Sequence, residues 1–253
     1  MDDFKKTNEF MKMWNKHKGE RCFIIGSGPS LNETNMKLLK DEILFGTNTL
    51  YKGYNRYGIN CQYYAVSDAD VWNKEIFNIL NLDATLFVTN NVFESSTKKT
   101  MQGSMIKATF EFDGGEKDVY VLKNIGRMWK KPQKGVLAEC PHCHKLSVDP
   151  RCFSMDITSG VCSGNVVTVD ICLQVCFFLG FSKVYLVGCD SDMTGDFDGR
   201  FYQSDDPFIT PRPIESYELC KKAYEKYDRE IINCTVGGKL EVFKRQRLED
   251  AIL

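Results

Sequence analysis

Apolar residues fall along this chain in short runs set apart by longer mixed stretches. Residues 21–26 (RCFIIG) open onto Ser, Gly and Pro, which reads as a buried parallel strand feeding a loop. Runs at 43–46, 63–66 and 85–88 have the same character, with room for helical crossovers between them, as over 69–82. Strands alternating with helices predict an α/β fold, a Rossmann-like and mostly parallel sheet with helices on both faces. Beyond residue 90 the rhythm breaks. Residues 105–112 and 118–122, joined by DGGEK, predict a β-hairpin, because Asp113, Gly114 and Gly115 supply the positive φ that a tight turn needs. A basic, cysteine-bearing segment follows before the α/β rhythm resumes after residue 151. Residues 165–179 (NVVTVDICLQVCFFL) are apolar nearly all round and predict a buried central helix that stops at Gly180. A strand over 183–187, a helix over 215–229, a strand over 230–233 and a short helix from 246 complete the chain. The expected organisation is a single Rossmann-like domain over 1–253, carrying an N-terminal amphipathic helix over 1–20 and an insertion over 90–151.

In the N-terminal stretch Phe4, Met11 and Trp14 fall near one face, with Phe10 a turn before Trp14 and lysines over the rest, which suits packing on the body, with membrane-surface binding as the alternative. It lacks the apolar core and cleavage site of a secretory signal. The most apolar region, 171–188, is cut by Gln174, Gly180, Ser182 and Lys183, too short and broken to cross a bilayer. With 33 basic and 34 acidic residues the net charge is −1, so nothing global favours nucleic acid or anionic lipid. The cysteines number eleven, and Cys22, Cys172, Cys176 and Cys189 lie inside apolar runs as reduced core thiols do, which predicts a cytoplasmic protein.

Four groups of residues could carry chemistry. Gly26, Ser27, Gly28, Pro29 and Ser30 follow the first strand. Glycines let backbone approach a phosphate, and Ser30 could cap a helix whose N-terminus favours an anion; a plain tight turn is the alternative. The loop lacks both the third glycine of the dinucleotide fingerprint and the lysine of the P-loop. Asp156, Ile157, Thr158, Ser159 and Gly160 precede the buried helix, where hydroxyls could bond a phosphate or ribose or could simply cap. Asp68 and Asp70, and Asp190 and Asp192, stand at predicted strand ends, where carboxylates can take an acceptor proton, bind a ribose or hold Mg²⁺ or Mn²⁺. Residues 190–198 also match the first nine positions of a calcium loop, but the twelfth position is Phe201, so an EF-hand is rejected. Cys140, Cys143, His144 and Cys152 form a candidate structural Zn²⁺ site, with a reduced cysteine loop as the alternative. Residues 123–151 carry seven basic residues against Glu139 and Asp149, and Trp129 lies among Arg127, Lys130 and Lys131. That pattern would suit a nucleic-acid acceptor or a solvated insertion.

Taken together and in order, IIGSGPSL, GTNTLY, YYAVSDADVW, ITSGV, LGFSKVYLVGCD and INCTVGGKLEVFKR resemble one superfamily. It contains bacterial sialyltransferases of the Campylobacter type, the flagellin-glycosylation (motility-associated factor) domain, and archaeal 6-hydroxymethylpterin pyrophosphokinase-like proteins. The resemblance implies a Rossmann-like sheet that binds a nucleotide donor through residues 26–30, Asn48, and Thr158, Ser159 and Gly160. The asparagine usual in the first loop is Ser27 here, and that of the third-strand motif is Asp68. The sialyltransferase histidine beyond the later strand is absent, since the histidines are His17, His142 and His144. The acceptor proton would then pass to a carboxylate, Asp190 or Asp192, or to a histidine of the insertion.

The leading expectation is a glycosyltransferase that moves a sugar from a nucleotide-sugar donor to a hydroxyl acceptor, a glycan or a hydroxymethylated DNA base. The alternatives are Mg²⁺-dependent pyrophosphoryl transfer from ATP to a pterin-like alcohol and a non-catalytic nucleotide- or glycan-binding module.

Overall fold

A computed structural model describes residues 10–127, 153–164, 166–190 and 214–253. Its centre is β1 (Arg21–Ile25), buried from its second residue onward. Side chains alternate along it, Cys22 and Ile24 entering one apolar core and Phe23 and Ile25 the other, so the strand is covered on both faces. Parallel neighbours are β2 (Leu44–Thr47) on one side and β9 (Lys183–Val187) on the other. The sheet continues through β3 (Tyr63–Val66), β4 (Thr85–Thr89), β5 (Met105–Phe112), β6 (Gly115–Leu122), β10 (Glu230–Asn233) and β11 (Lys244–Arg245). Its order is β11-β10-β9-β1-β2-β3-β4-β6-β5, and among these nine strands β5 alone runs antiparallel to its neighbour. The predicted hairpin thus extends the main sheet, with β6 in parallel register on β4. A separate parallel pair is formed by β7 (Asn124–Arg127) and β8 (Val161–Ser163).

Among the described residues six helices pack around this sheet: α1 (Tyr54–Tyr57), α2 (Ala69–Leu80), α3 (Asn90–Thr97), α4 (Leu173–Leu179), α5 (Ile214–Glu225) and α6 (Leu248–Ile252). The buried residues of α2, α3 and α6, such as Trp72, Val92 and Leu248, lie in one core, and those of α4 and α5 in the other. No helix among the described residues is long and apolar enough to cross a membrane.

Two elements differ from the sequence reading. Residues 12–19 form turns rather than a continuing helix. The N–H groups of Asn15, His17 and Gly19 bond the carbonyls of Phe178, Leu179 and Gly180, so they cap the end of α4 while those of Lys16 and Lys18 bond back within the segment. Phe10 is buried, the Trp14 ring meets Phe178 edge-on, and His17 stacks on Phe181. Residues 1–9 lie outside the described residues.

The central helix also begins later than residue 165, and its first turn, Thr168–Cys172, is a π-helix. The wider turn coincides with two polar residues in an otherwise apolar run, Asp170 and Gln174. Gln174 is fully buried. Its amide N–H groups bond the carbonyls of Cys162, Val169 and Asp170, and its oxygen accepts from the N–H groups of Ser154 and Cys162. A buried amide satisfied on both ends supports a turn whose own ladder is interrupted.

Candidate active site

In parallel sheets ligands bind beyond the carboxyl ends of the strands, where the order reverses about the first strand. Here that point lies between β1 and β9, and both following loops reach it. Gly26 N–H bonds the carbonyl of Val187 at 2.8 Å, and Gly28 N–H that of Gly188 at 2.9 Å. Asp190 closes the junction, one oxygen accepting from the Ser30 hydroxyl at 2.8 Å and the other from the Ser30 N–H at 3.3 Å. A Cβ on Gly26 would stand 2.3 Å from the Gly188 carbonyl oxygen, and one on Gly28 would stand 1.7 Å from Asp190 Oδ2. Two backbones and a carboxylate crossing at contact distance account for both glycines.

This geometry corrects the expectation for Ser30. The turn after the loop is a four-residue 3₁₀ segment, Pro29–Asn32, that starts at Gly28 without a side-chain cap. Ser30 sits inside it, and the anion at its N–H is the protein's own Asp190. Among the N–H groups of residues 26–30, that of Ser27 has no partner among the described residues. The loop of β10 buttresses the junction, since Thr235 Oγ1 accepts from Cys189 N–H and Lys239 N–H bonds the Asp190 carbonyl.

Asn48 follows β2 with a left-handed φ of 47°. The Tyr64 hydroxyl fixes that conformation by donating to its carbonyl at 2.8 Å. The side-chain Oδ1 of Asn48 is buried and has no hydrogen-bond partner among the described residues. Such an oxygen costs about 1–3 kcal/mol when left unpaired, which suits a group waiting for a ligand donor.

Asp68 stands at the end of β3 as the N-cap of α2, its Oδ1 accepting from the N–H groups of Asp70 at 2.9 Å and Val71 at 3.2 Å. Its second oxygen has no hydrogen-bond partner among the described residues. Thr158, Ser159 and Gly160 form a short turn after Asp156, which accepts from both the N–H and the hydroxyl of Thr158. Gly160, at φ 108°, lies against the Lys123 carbonyl, where a Cβ would stand 2.6 Å from the oxygen. Asp156 therefore occupies Thr158, and the Ser159 hydroxyl is the one in this turn without a partner among the described residues.

Sequence reasoning passed over Asp170. Its carboxylate is buried at the same edge and accepts from the Ser163 hydroxyl at 3.2 Å and from the Gly164 N–H. Burial pushes its carboxyl up from 3.8 to about 6 against those hydrogen bonds. The available signal was an acid and an amide four residues apart, Asp170 and Gln174, inside a run otherwise fit for the core.

Asp192, the basic segment with Trp129, Lys130 and Lys131, and the zinc candidates Cys140, Cys143, His144 and Cys152 lie outside the described residues, as do His142 and residues 191–198. Among the described residues no group of three or more His, Cys, Asp or Glu could hold a metal ion. Seven described cysteines are free and buried, while Cys162 is disulfide-bonded.

Residues 4–226 match the sequence family described as 3-deoxy-D-manno-octulosonic acid transferase WaaZ. The chain belongs to this WaaZ family. The family described is one of glycosyltransferases, and the α/β fold of this chain agrees with that of a solved glycosyltransferase. The MAf glycosyltransferase from Magnetospirillum magneticum AMB-1 superposes on 97% of this chain with a TM-score of 0.50 and 14% identity. The chain spans only 38% of that protein's length. The sialyltransferase CstII from Campylobacter jejuni, solved in complex with a substrate analogue, cytidine-5′-monophosphate, superposes on 90% of this chain. That match covers 85% of CstII, with a TM-score of 0.47 and 15% identity. Curated protein sequences give no match. At 14% identity the likeness to the MAf glycosyltransferase speaks for the fold.

Proposed function

We propose that this WaaZ-family chain transfers 3-deoxy-D-manno-octulosonic acid (KDO) from a nucleotide-activated donor to a hydroxyl of a glycan acceptor. The observation that carries the donor is the family match over residues 4–226. The carboxyl edge supports it with groups suited to a nucleotide ester. Asn48 Oδ1 accepts from a ribose hydroxyl or a base amine. The N–H of Ser27 and the hydroxyl of Ser159 donate to the phosphate as the leaving group gains charge.

In the reaction the acceptor oxygen bonds to the anomeric carbon. The bond from that carbon to the phosphate oxygen breaks, its electron pair leaves with the nucleotide, and the acceptor proton passes to a carboxylate. Asp68 is the proposed proton acceptor, because its N-cap bonds fix Oδ1 and leave Oδ2 open. Asp190 accepts two hydrogen bonds from Ser30, one on each oxygen, so its carboxylate is already engaged within the fold. Its proposed part is therefore to hold the first loop against β9. A cytoplasmic setting is part of the proposal, on the seven free buried thiols and against the one disulfide at Cys162.

The test is product formation from CMP-KDO, compared with UDP-, GDP- and ADP-sugars, each with and without Mg²⁺. Transfer or slow hydrolysis of CMP-KDO with release of CMP is expected. Turnover confined to a different donor class, or ATP cleaved to AMP with pyrophosphoryl transfer, would refute the reading.

A further inference from the structure

Glu75 takes no part in the reaction scheme, yet it links the segments that carry Asn48 and Asp68. It sits on α2, about two turns beyond the Asp68 cap. Both of its oxygens are engaged by the short turn Leu50–Gly53 that follows Asn48. Oε1 lies 2.6 Å from the Lys52 ammonium, and Oε2 accepts from the Tyr51 hydroxyl. The Asn78 amide, one turn further along α2, donates to the same Oε2 at 3.1 Å and to the Tyr51 hydroxyl oxygen at 3.2 Å. The backbone of Tyr51 is held as well. Its N–H donates to the Tyr64 hydroxyl oxygen at 3.0 Å, and that hydroxyl donates in turn to the Asn48 carbonyl at 2.8 Å. Tyr64 is fully buried, and Gly46 leaves room for its ring, where a Cβ would stand 2.5 Å away. An unbroken set of contacts thus runs from α2 through Tyr51 and Tyr64 to Asn48.

We infer that Glu75 is a positioning residue for donor binding, clamping the turn after Asn48 onto α2 so that the Asn48 carboxamide is held in its buried position. This rests on the reading of the carboxyl edge as the donor site. The need for a clamp follows from Asn48 itself. Its φ of 47° and its unpaired buried Oδ1 are both unfavourable, and a free turn would relieve both by swinging out to water. A phenol hydroxyl and an ammonium on one ionised carboxylate oppose that release, since hydrogen bonds to a charged acceptor are the stronger ones. The Glu75 side chain is 18% exposed, so water screens these bonds only in part. Glutamine at this position keeps an oxygen for the Tyr51 hydroxyl, while Lys52, 36% exposed, can turn to water. Alanine keeps neither bond.

Glu75→Ala, Glu75→Gln, Tyr51→Phe and Asn48→Gly test the inference in the whole chain, with Glu75→Ala also combined with each of the last two. Donor KM and kcat are measured with CMP-KDO, and hydrogen exchange of segment 48–53 is followed without donor. We expect Glu75→Ala to raise donor KM about fivefold, the weight of one net hydrogen bond, with kcat within about twofold of wild type. Glu75→Gln should bring KM back to within about twofold. Tyr51→Phe, which removes only the hydroxyl, should raise KM and add little to Glu75→Ala. In Asn48→Gly, which has no carboxamide to place, Glu75→Ala should leave KM unchanged, whereas a merely structural role would add its full effect there. Glu75→Ala should also speed exchange in segment 48–53, where the Tyr51 N–H lies.

A wild-type donor KM in folded Glu75→Ala, or an undiminished effect of that substitution in the Asn48→Gly background, would overturn the inference. If wild-type protein does not use CMP-KDO, the donor assignment falls and exchange decides the clamp. Unchanged protection of segment 48–53 in Glu75→Ala then overturns it, and faster exchange upholds it.

Discussion

Asp190 fills the space that a side chain at position 28 would occupy. Gly28 has an ordinary φ of −70°, so its need for glycine is steric rather than conformational. Gly28→Ala should destabilise the fold by about 1–3 kcal/mol, the usual cost of overpacking a tight site. Asp190→Ala should relieve part of that cost but not all, because the Gly188 carbonyl oxygen would remain 2.6 Å from the new Cβ. Urea unfolding of the two single variants and the double variant measures this. Strictly additive losses would show that the two positions do not compete for the same space.

Asn48 separates conformation from recognition. Glycine tolerates the left-handed φ of 47° and lacks the carboxamide. Asn48→Gly should therefore unfold within about 1 kcal/mol of wild type and bind donor about tenfold more weakly. Calorimetric titration of CMP-KDO into both proteins checks this, and equal affinities would remove Asn48 from the site.

Gln174 is the main internal tie of the π turn. Replacing it by leucine keeps the volume but strands the N–H groups of Ser154 and Cys162 and the carbonyls of Cys162, Val169 and Asp170. Gln174→Leu should cost about 3 kcal/mol or more, several buried polar groups being left unpaired at once. A melting temperature equal to that of wild type would contradict this.

The buried carboxyl of Asp170 also sets a pH dependence. Its folded value near 6 stands above the unfolded 3.8, so folding takes up a proton between these values. Its favourable contribution is complete below about pH 4 and is lost as the pH rises through about 6. The shift corresponds to about 3 kcal/mol at most. Asp170→Asn, which does not titrate, should gain stability relative to wild type between pH 4 and 6 and hold that gain at higher pH. Denaturant titrations at pH 4, 5, 6 and 7 test the sign; a gap that does not change with pH would show that Asp170 is not the titrating group.

Much of this arrangement is legible in the sequence because local chemistry and fold agree there. The alternation at Cys22, Phe23, Ile24 and Ile25 marks a strand buried on both faces, and it is the sheet centre. The residues around Asp113 and Gly114 predict the hairpin, and Gly180 ends α4 with φ 94°. What was not legible depends on partners distant in sequence. Ser30 resembles a cap until Asp190, 160 residues later, takes up its N–H and hydroxyl. Asn15, His17 and Gly19 look amphipathic and helical until the end of α4 offers them carbonyls. Asp170 looks like a flaw in an apolar helix until the Ser163 hydroxyl and the Gly164 N–H bond it.

The account turns on one claim, that the carboxyl edge around β1, β2, β3 and β8 binds the activated sugar. Hydrogen exchange with and without saturating CMP-KDO tests it directly. The account predicts slower exchange together in segments 26–30, 47–49, 66–70 and 158–164, with the amino edge around residues 15–20 unchanged. Protection confined to the amino edge, or tight binding without protection of those four segments, would contradict it.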